Sequence, residues 1–517
     1  MNSYRFFKND GIHWGSSLVF FRLILEKKER KLPTTLLSNF EPKDVWTEFL
    51  ALTKTPRCSK QEEKVLGYLE EKALRKGYNY QKDRVGNLFV DLPPTKGSET
   101  IPGIILQSHV DMVCEQNRGR NHDFSKDPLD LIVEEDWLRA RDTTLGADNG
   151  IGVAYMAALL EGSYNHGPLQ LLFTIDEETG LTGAIQIQHE LLKYKKMINL
   201  DTEEEGYFCI GCAGGKETIG TLRLQKRVPN PSEVTLDLEI TGLRGGHSGA
   251  EIHLELGNSL VILGRILGDF IRVAPLHLFH VYGGDKHNAI PREAFATFSC
   301  SKIDLAKFQE RLVYWESILK NELGSLDQGI VLKLLSTSKE PDNGVLTAED
   351  QSKIINALQT IPHGIYGWSR AIENLVSTST NFAAMHMDKE SARFLTSQRS
   401  DQTTQRDWIA LRTGAAMAMS GMKVKESREY PGWNPNPNSP LLKECLRLYP
   451  EISGKEGIIQ SIHAGLECGV IGDKIPGIDM ISFGPDIRAP HTPGEKVSIS
   501  SVRRTWEFLL RLLEAGK

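Results

Sequence analysis

No apolar run in the chain is long enough to span a bilayer. The nearest approach, Ser16 to Leu25, is short and is followed by Glu26-Lys27-Lys28-Glu29-Arg30-Lys31. Charges therefore stand where a signal peptide would carry its small-residue cleavage site. A surplus of positive charge is missing too: the net charge of −6 gives no general attraction to nucleic acid or an anionic membrane. Cysteine is sparse, seven in 517 residues, and an odd count leaves at least one unpaired. This argues against a disulfide scaffold, and a reducing cytoplasm is the simplest home. Cys209-Ile210-Gly211-Cys212 lacks a second CxxC and reads as two buried, unreactive thiols. There is no low-complexity segment and no convincing internal repeat.

What is present is an ordinary globular composition, with 40% hydrophobic and 25% charged residues. The length exceeds what one hydrophobic core usually serves, so two domains are expected. The informative pattern is local. His109, Asp148, Glu178, Asp201 and His491 each stand just beyond a strand-like apolar run or at a helix start. The runs are Ile104 to Gln107, Leu169 to Ile175, Met197 to Leu200 and Met480 to Phe483. In open α/β sheets ligands gather outside the carboxyl ends of the strands, so one rim can collect all five.

Two imidazoles and three carboxylates suit Zn²⁺, with Co²⁺ or Mn²⁺ as substitutes. Five groups exceed what one catalytic zinc takes, and a bridging carboxylate lets them serve two divalent ions. Asp148 is the candidate bridge, because it opens a helix over Asn149 to Leu160 whose unpaired N–H groups would help to hold an anionic side chain. Alone, it also reads as a plain N-cap. Asp111 projects to the same side of an extended strand as His109 and can take its second ring N–H. Glu177 and Glu178 are adjacent; if Glu178 binds metal, Glu177 points elsewhere and is left to act as base. In isolation Asp176-Glu177-Glu178 also fits a solvated acidic loop.

Several segments carry a family resemblance. Ser108 to Val113, Thr143 to Gly152, Asp201 to Gly206, Gly211 to Gly215, Gly242 to Gly249, His287 to Ala294, His463 to Gly469 and Pro490-His491 closely resemble the aminoacyl-histidine (Xaa-His) dipeptidases. These belong to a two-zinc exopeptidase family that also includes peptidase T and acetylornithine deacetylase. The resemblance runs from about residue 40 to the end. It implies an α/β catalytic domain with a mixed sheet flanked by helices, plus an inserted α+β lid and dimerisation domain. It further implies that His109, Asp148, Glu178, Asp201 and His491 bind two metal ions with Asp148 bridging, that Asp111 orients His109, and that Glu177 is the general base. His247 resembles an oxyanion-stabilising lid histidine, often supplied across a dimer. Asn288 and Arg399 resemble lid residues that hold the substrate, with arginine suited to a bidentate grip on a carboxylate. His463 and Glu467 resemble pocket residues near His491.

Four candidate ligands precede residue 202 and the fifth is at 491, so the catalytic domain is expected from 38–214 and 435–517, with 215–434 inserted. Within the insertion Val234 to Thr241 alternates as a half-buried antiparallel strand, Leu260 to Phe270 reads as an amphipathic helix and Ile330 to Leu335 as a strand. Residues 1–37 extend beyond the resemblance and are expected to be dispensable. The expected activity is hydrolysis of dipeptides, Xaa-His and β-alanyl-histidine among them, by a cytoplasmic homodimer. An N-acyl amino acid deacetylase on the same fold and a metal-free binding protein are the alternatives.

Overall fold

The computed structural model describes residues 40–230, 232–337 and 344–515. The expectation for residues 1–37 lies outside them. The first sheet has eight strands: β1 (Asn79–Lys82), β2 (Leu88–Leu92), β3 (Ile104–His109), β4 (Leu169–Thr174), β5 (Lys196–Asn199), β6 (Tyr207–Cys212), β7 (Ile458–Ile462) and β8 (Asp479–Ser482). Their spatial order is β1-β2-β4-β3-β5-β8-β6-β7. The central four, β4, β3, β5 and β8, run parallel. β2 joins β4, and β6 joins β8, in the antiparallel sense, so the sheet is mixed.

The apolar runs form central parallel strands, and the polar Gln107, Gln170 and Thr174 among them find hydrogen-bond partners inside the protein. Every residue of β3 and β4 is buried, as both faces are covered in such a sheet. Helix α1 (Ala147–Glu161) is buried from Ala147 through Leu160, as its lack of a polar face requires. It comes close to β3 at Gly152, where a Cβ would fall 2.4 Å from Ser108 Oγ. The core of this half draws residues from Val45 to Cys212 and again from Trp433 to Leu513, so both ends of the chain build it.

The middle of the chain forms a second sheet, antiparallel throughout. Its order is Val331–Ser336, Glu233–Thr241, Ala294–Ser301, Leu276–Gly283, Val376–Met387, Ser391–Ser400, Gly214–Arg223, Lys423–Tyr430, with Gly364–Trp368 also pairing Val376–Met387. With helices Ser259–Val273, Leu305–Glu322, Ala348–Thr360 and Thr403–Met419 it encloses a separate core. The alternating strand, the amphipathic helix and the second strand read from the sequence are the first of these helices and two of these strands.

Among the described residues no helix is long and apolar enough to cross a membrane. The cysteines depart from the expectation in one respect. Cys58 and Cys114 form a disulfide with Cα atoms 5.7 Å apart, because a parallel bridge between Cys58 and Met112 lays their segments side by side. The other five are buried, and burial pushes the Cys209 and Cys212 thiols up to about 12 and 11. All five are expected to stay unmodified by a thiol reagent until the protein is unfolded.

Candidate active site

Because β4, β3, β5 and β8 are adjacent and parallel, their carboxyl ends share one rim. His109 ends β3, Glu177 and Glu178 follow β4, Asp201 follows β5, and the chain after β8 brings up His491. The side chains meet tip to tip. His109 Nε2 lies 3.1 Å from Asp148 Oδ1 and 3.3 Å from Asp201 Oδ1. His491 Nε2 lies 2.9 Å from Asp148 Oδ2 and 3.0 Å from Glu178 Oε2. His109 groups with Glu177 and Glu178, and two further groups of potential metal ligands are His109 with Asp148 and Asp201, and His491 with Asp148 and Glu178. The last two share Asp148, one carboxylate oxygen to each.

The electrostatics show a site that wants cations. Burial opposes the charged form of Asp148, yet hydrogen bonds to His109 and His491 hold it below the usual carboxylate range. Those to Asp148 and Glu178 push His491 up to about 11. Burial and the nearby Asp148 and Glu178 carboxylates raise Asp201 to about 6 even with His109 beside it. Glu178 Oε1 is buried without a hydrogen-bond partner. Such a donor set of imidazole nitrogen and carboxylate oxygen fits a pair of divalent ions.

Asp111 lies between the His109 ring and the turn that follows β4. It is fully buried, with Oδ1 3.4 Å from His109 Nδ1. The same Oδ1 accepts from the N–H of Glu177 at 3.1 Å, and Oδ2 accepts from the N–H of Glu178 at 3.2 Å and from Ser59 Oγ at 2.8 Å. One carboxylate thus stands beside the His109 ring and ties down the turn that carries both glutamates. Burial raises the pKa of Glu177 well above the ordinary value; the nearby His109 imidazole lowers it, and the charges of Asp201, Glu178 and Glu467 add to the rise. A carboxylate in that setting holds a proton readily once it has taken one.

The rim opens into a cavity of about 770 Å³, which Asp148, Glu177, Asp201 and His491 line together with His247 and His463. His247 thus borders the same cavity as the ligand groups of its own chain. It sits on a short strand whose partner holds Ala289. Its Nδ1 accepts the N–H groups of Gly249 and Ala250 at 3.2 and 2.9 Å, which leaves the proton on Nε2. Burial and the charge of Arg399 lower its pKa to about 4, so it is a neutral donor across the physiological range.

The remaining expected residues lie at different depths. His463 lines the cavity, bonds Ser379 Oγ at 2.7 Å, and is lowered to about 3 by burial and by Arg399. Arg399 is 6% exposed behind this wall, with Nη1 donating to Tyr430 Oη at 3.2 Å. Asn288 lies outside the lining of this cavity and faces a second one of about 490 Å³, which His247 also borders. Glu467 is not a wall residue. It is fully buried beneath the rim, accepting from Thr174 Oγ1 at 2.7 Å and from Gln107 Nε2, because it opens a helix (Glu467–Lys474) whose first turn faces the sheet.

One expectation needs correcting. The N–H groups at the start of α1 do not hold the Asp148 side chain. Asp148 and Asn149 have non-helical dihedrals, the Asp148 oxygens face His109 and His491, and the carboxylate of Glu495 takes the N–H groups of Leu145 to Asp148, in the turn before α1 and its first residues. Sequence reasoning missed Glu495, Arg57 and Asn149, whose Nδ2 donates to Asp201 Oδ1. For Glu495 a faint signal existed, an acidic residue after Thr492-Pro493-Gly494 beyond a ligand histidine. Arg57 offered none.

Comparison with known proteins fits this geometry. The model of peptidase family M20/M25/M40 matches residues 105–515, most of the chain. The chain belongs to this family. A cytosol non-specific dipeptidase of Escherichia coli is 37% identical over 481 residues, covering 92% of this chain and 98% of that protein. The crystal structure of an aminoacylhistidine dipeptidase from Vibrio alginolyticus superposes with a TM-score of 0.84 at 36% identity, covering 93% of this chain and 98% of the other. A tripeptidase from Staphylococcus aureus shares the M20 fold at a TM-score of 0.52 and 15% identity, with 92% of this chain and 98% of that one covered.

The buried histidines of this M20 chain make its stability pH-dependent. His247, His363 and His463 are lowered by burial to about 4, 4 and 3. Between those values and about 6.5, the unfolded chain binds protons that the folded chain refuses. The stability these histidines contribute is lost as pH falls from about 6.5 towards 4, against the opposite contribution of the buried Asp201 and Glu467 carboxylates, raised to about 6 and 7. The His363→Gln variant, whose ring contacts Asn258 and the Phe382 N–H, should lose less thermal stability than the wild type over that range.

Proposed function

We propose that this protein is a two-metal dipeptidase that removes the N-terminal residue of dipeptides, Xaa-His and β-alanyl-histidine among them. The observation that carries the reading is the pair of ligand groups sharing Asp148 inside a cavity that the same chain closes with His247. The dipeptidase relatives, spanning nearly the whole chain, favour it over a deacetylase. His109, Asp148 and Asp201 would hold one ion, and His491, Asp148 and Glu178 the other. Zn²⁺ suits these ligands best, with Co²⁺ or Mn²⁺ as substitutes. When bound, the ions supply Lewis acidity, which acidifies water and polarises the scissile carbonyl.

The chain's own groups do the rest. Glu177 takes a proton from the attacking water and delivers it to the leaving amine. His247 donates its Nε2–H to the developing oxyanion, and being neutral it needs no deprotonation to remain a donor at pH 7. We further assign 38–214 and 435–517 to the metal-binding domain and 215–434 to the lid, with His463 on the substrate side. Arg399 supplies positive charge behind His247 and His463, suited to the substrate carboxylate. The cytosolic relative supports a cytoplasmic location. A homodimer is proposed on the family resemblance, and its interface is not needed to supply His247.

His247→Ala is expected to lower kcat by about 10²- to 10³-fold with metal content intact. Mixing His247→Ala chains with Glu177→Gln chains should restore no activity, since both groups act within one chain. The test of substrate class is a hydrolysis panel of Ala-His, β-alanyl-histidine, non-histidine dipeptides and acetyl-ornithine on metal-loaded protein. Turnover of the dipeptides supports the proposal. Turnover of acetyl-ornithine alone would replace it with the deacetylase reading.

A further inference from the structure

Glu495 belongs to neither ligand group, yet it is 2% exposed and its hydrogen bonds converge on the ligands' scaffold. Oε2 accepts the N–H groups of Leu145 and Gly146 at 2.8 and 2.9 Å. Oε1 accepts those of Ala147 and Asp148 at 2.7 and 3.2 Å. Four consecutive backbone donors, two in the turn before α1 and two in its first residues, thus end on one side chain supplied by the segment that carries His491. From the opposite side comes Arg57, also 2% exposed. Its Nη2 donates to the Gly146 carbonyl, and its Nη1 to the carbonyls of Val110 and Asp111 at 3.1 and 3.0 Å. Gly146 has a positive φ of 66°, and a Cβ there would fall 2.5 Å from Arg57 Nη2, so only glycine leaves room for the arginine.

Three segments that carry His109 and Asp111, Asp148, and His491 are therefore tied to one another by two side chains that touch none of the ligand atoms in a hydrogen bond. The consequence is chemical as well as geometric. A carboxylate engaged by backbone N–H groups has fewer lone pairs to share, and Asp148 stands where such donors are plentiful. Glu495 takes the N–H groups of residues 145–148, that of Asp148 itself among them, while both oxygens of Asp148 face His109 and His491. We propose that Glu495 is a positioning residue, with Arg57 as its counterpart, that fixes the bridging carboxylate between the two ion positions before any ion arrives. This rests on the two-metal reading above and adds that the bridge is preorganised by the protein rather than assembled by the metal.

Hydrogen exchange and metal binding together test it. In chelator-treated wild-type protein the amides of residues 145–148 should exchange as slowly as those of the core strand β3. In Glu495→Gln one oxygen becomes an NH₂ group that faces N–H donors, and those amides should exchange about 10-fold faster or more. The same variant should bind Zn²⁺ about 10- to 100-fold more weakly in a chelator competition, the usual effect of losing a group that supports ligands. At saturating Zn²⁺ its kcat should fall with KM unchanged, because Glu495 does not line the cavity. Should that variant not fold, Arg57→Lys loosens the opposite side, and the wild-type exchange measurement stands without any variant. Rapid exchange of 145–148 in the metal-free wild type would overturn the proposal. So would wild-type Zn²⁺ affinity in a Glu495→Gln protein that has only lost thermal stability, which would make the residue merely structural. Absence of Zn²⁺ binding by the wild type would instead overturn the two-metal reading itself and this inference with it.

Discussion

Asp148→Ala is expected to lose both ions and all measurable turnover together. Its Oδ1 faces His109 and its Oδ2 faces His491, at 3.1 and 2.9 Å, so each ligand group falls from three members to two. Two protein ligands are fewer than the three that catalytic zinc sites keep. Metal analysis after gel filtration in buffer with trace Zn²⁺ measures the effect. Full activity with one ion per chain would show that a single group suffices and that Asp148 is not a bridge.

The second large effect has the opposite signature. Glu177→Gln should lower kcat by about 10²- to 10⁴-fold while both ions stay bound. The amide keeps the size and the backbone hydrogen bond from Glu177 N–H to Asp111, but it cannot accept the water's proton. Burial and the nearby carboxylates Asp201, Glu178 and Glu467 favour the protonated form of Glu177, and divalent cations held by the neighbouring ligand groups would favour the ionised form that a base needs. Metal loss in this variant would make Glu177 a ligand, as its grouping with His109 and Glu178 also permits. KM should change little, since glutamine preserves the cavity wall.

How much of this could be read from the sequence depended on how local each cause is. The rim was legible because an apolar run ending in a polar residue is a strand end wherever it occurs, and parallel pairing then brings β4, β3, β5 and β8 together. His491 was legible on the same logic despite its distance along the chain, since β8 pairs with β5 directly. The start of α1 was misread, because the partner for its donors comes from Glu495, about 350 residues away, a separation no periodicity reports. Arg57 escaped for the same reason. Its function is set by three carbonyl groups from two other segments, and nothing near it in sequence marks it. Glu467 and His463 share one motif, yet one is in the wall and the other beneath it. That divergence follows from where the helix Glu467–Lys474 begins and which way its first turn faces.

The lid was half legible. Alternation in Glu233–Thr241 revealed an antiparallel strand, but whether His247 serves its own chain or a neighbour's is decided by how far the whole second sheet extends. Here the strands Val376–Met387 and Ser391–Ser400 lie between the His247 side and the edge that leads back to the metal domain, and His463 of that domain bonds Ser379 on the first of them. The sheet is thus docked onto the rim within one chain.

The central claim is that two ions sit on either side of Asp148. Anomalous diffraction from crystals of the Zn²⁺-loaded protein tests it most directly. The expected result is two peaks per chain, one contacting His109, Asp148 and Asp201 and the other contacting His491, Asp148 and Glu178. A single peak, or two peaks without a shared Asp148, would contradict it.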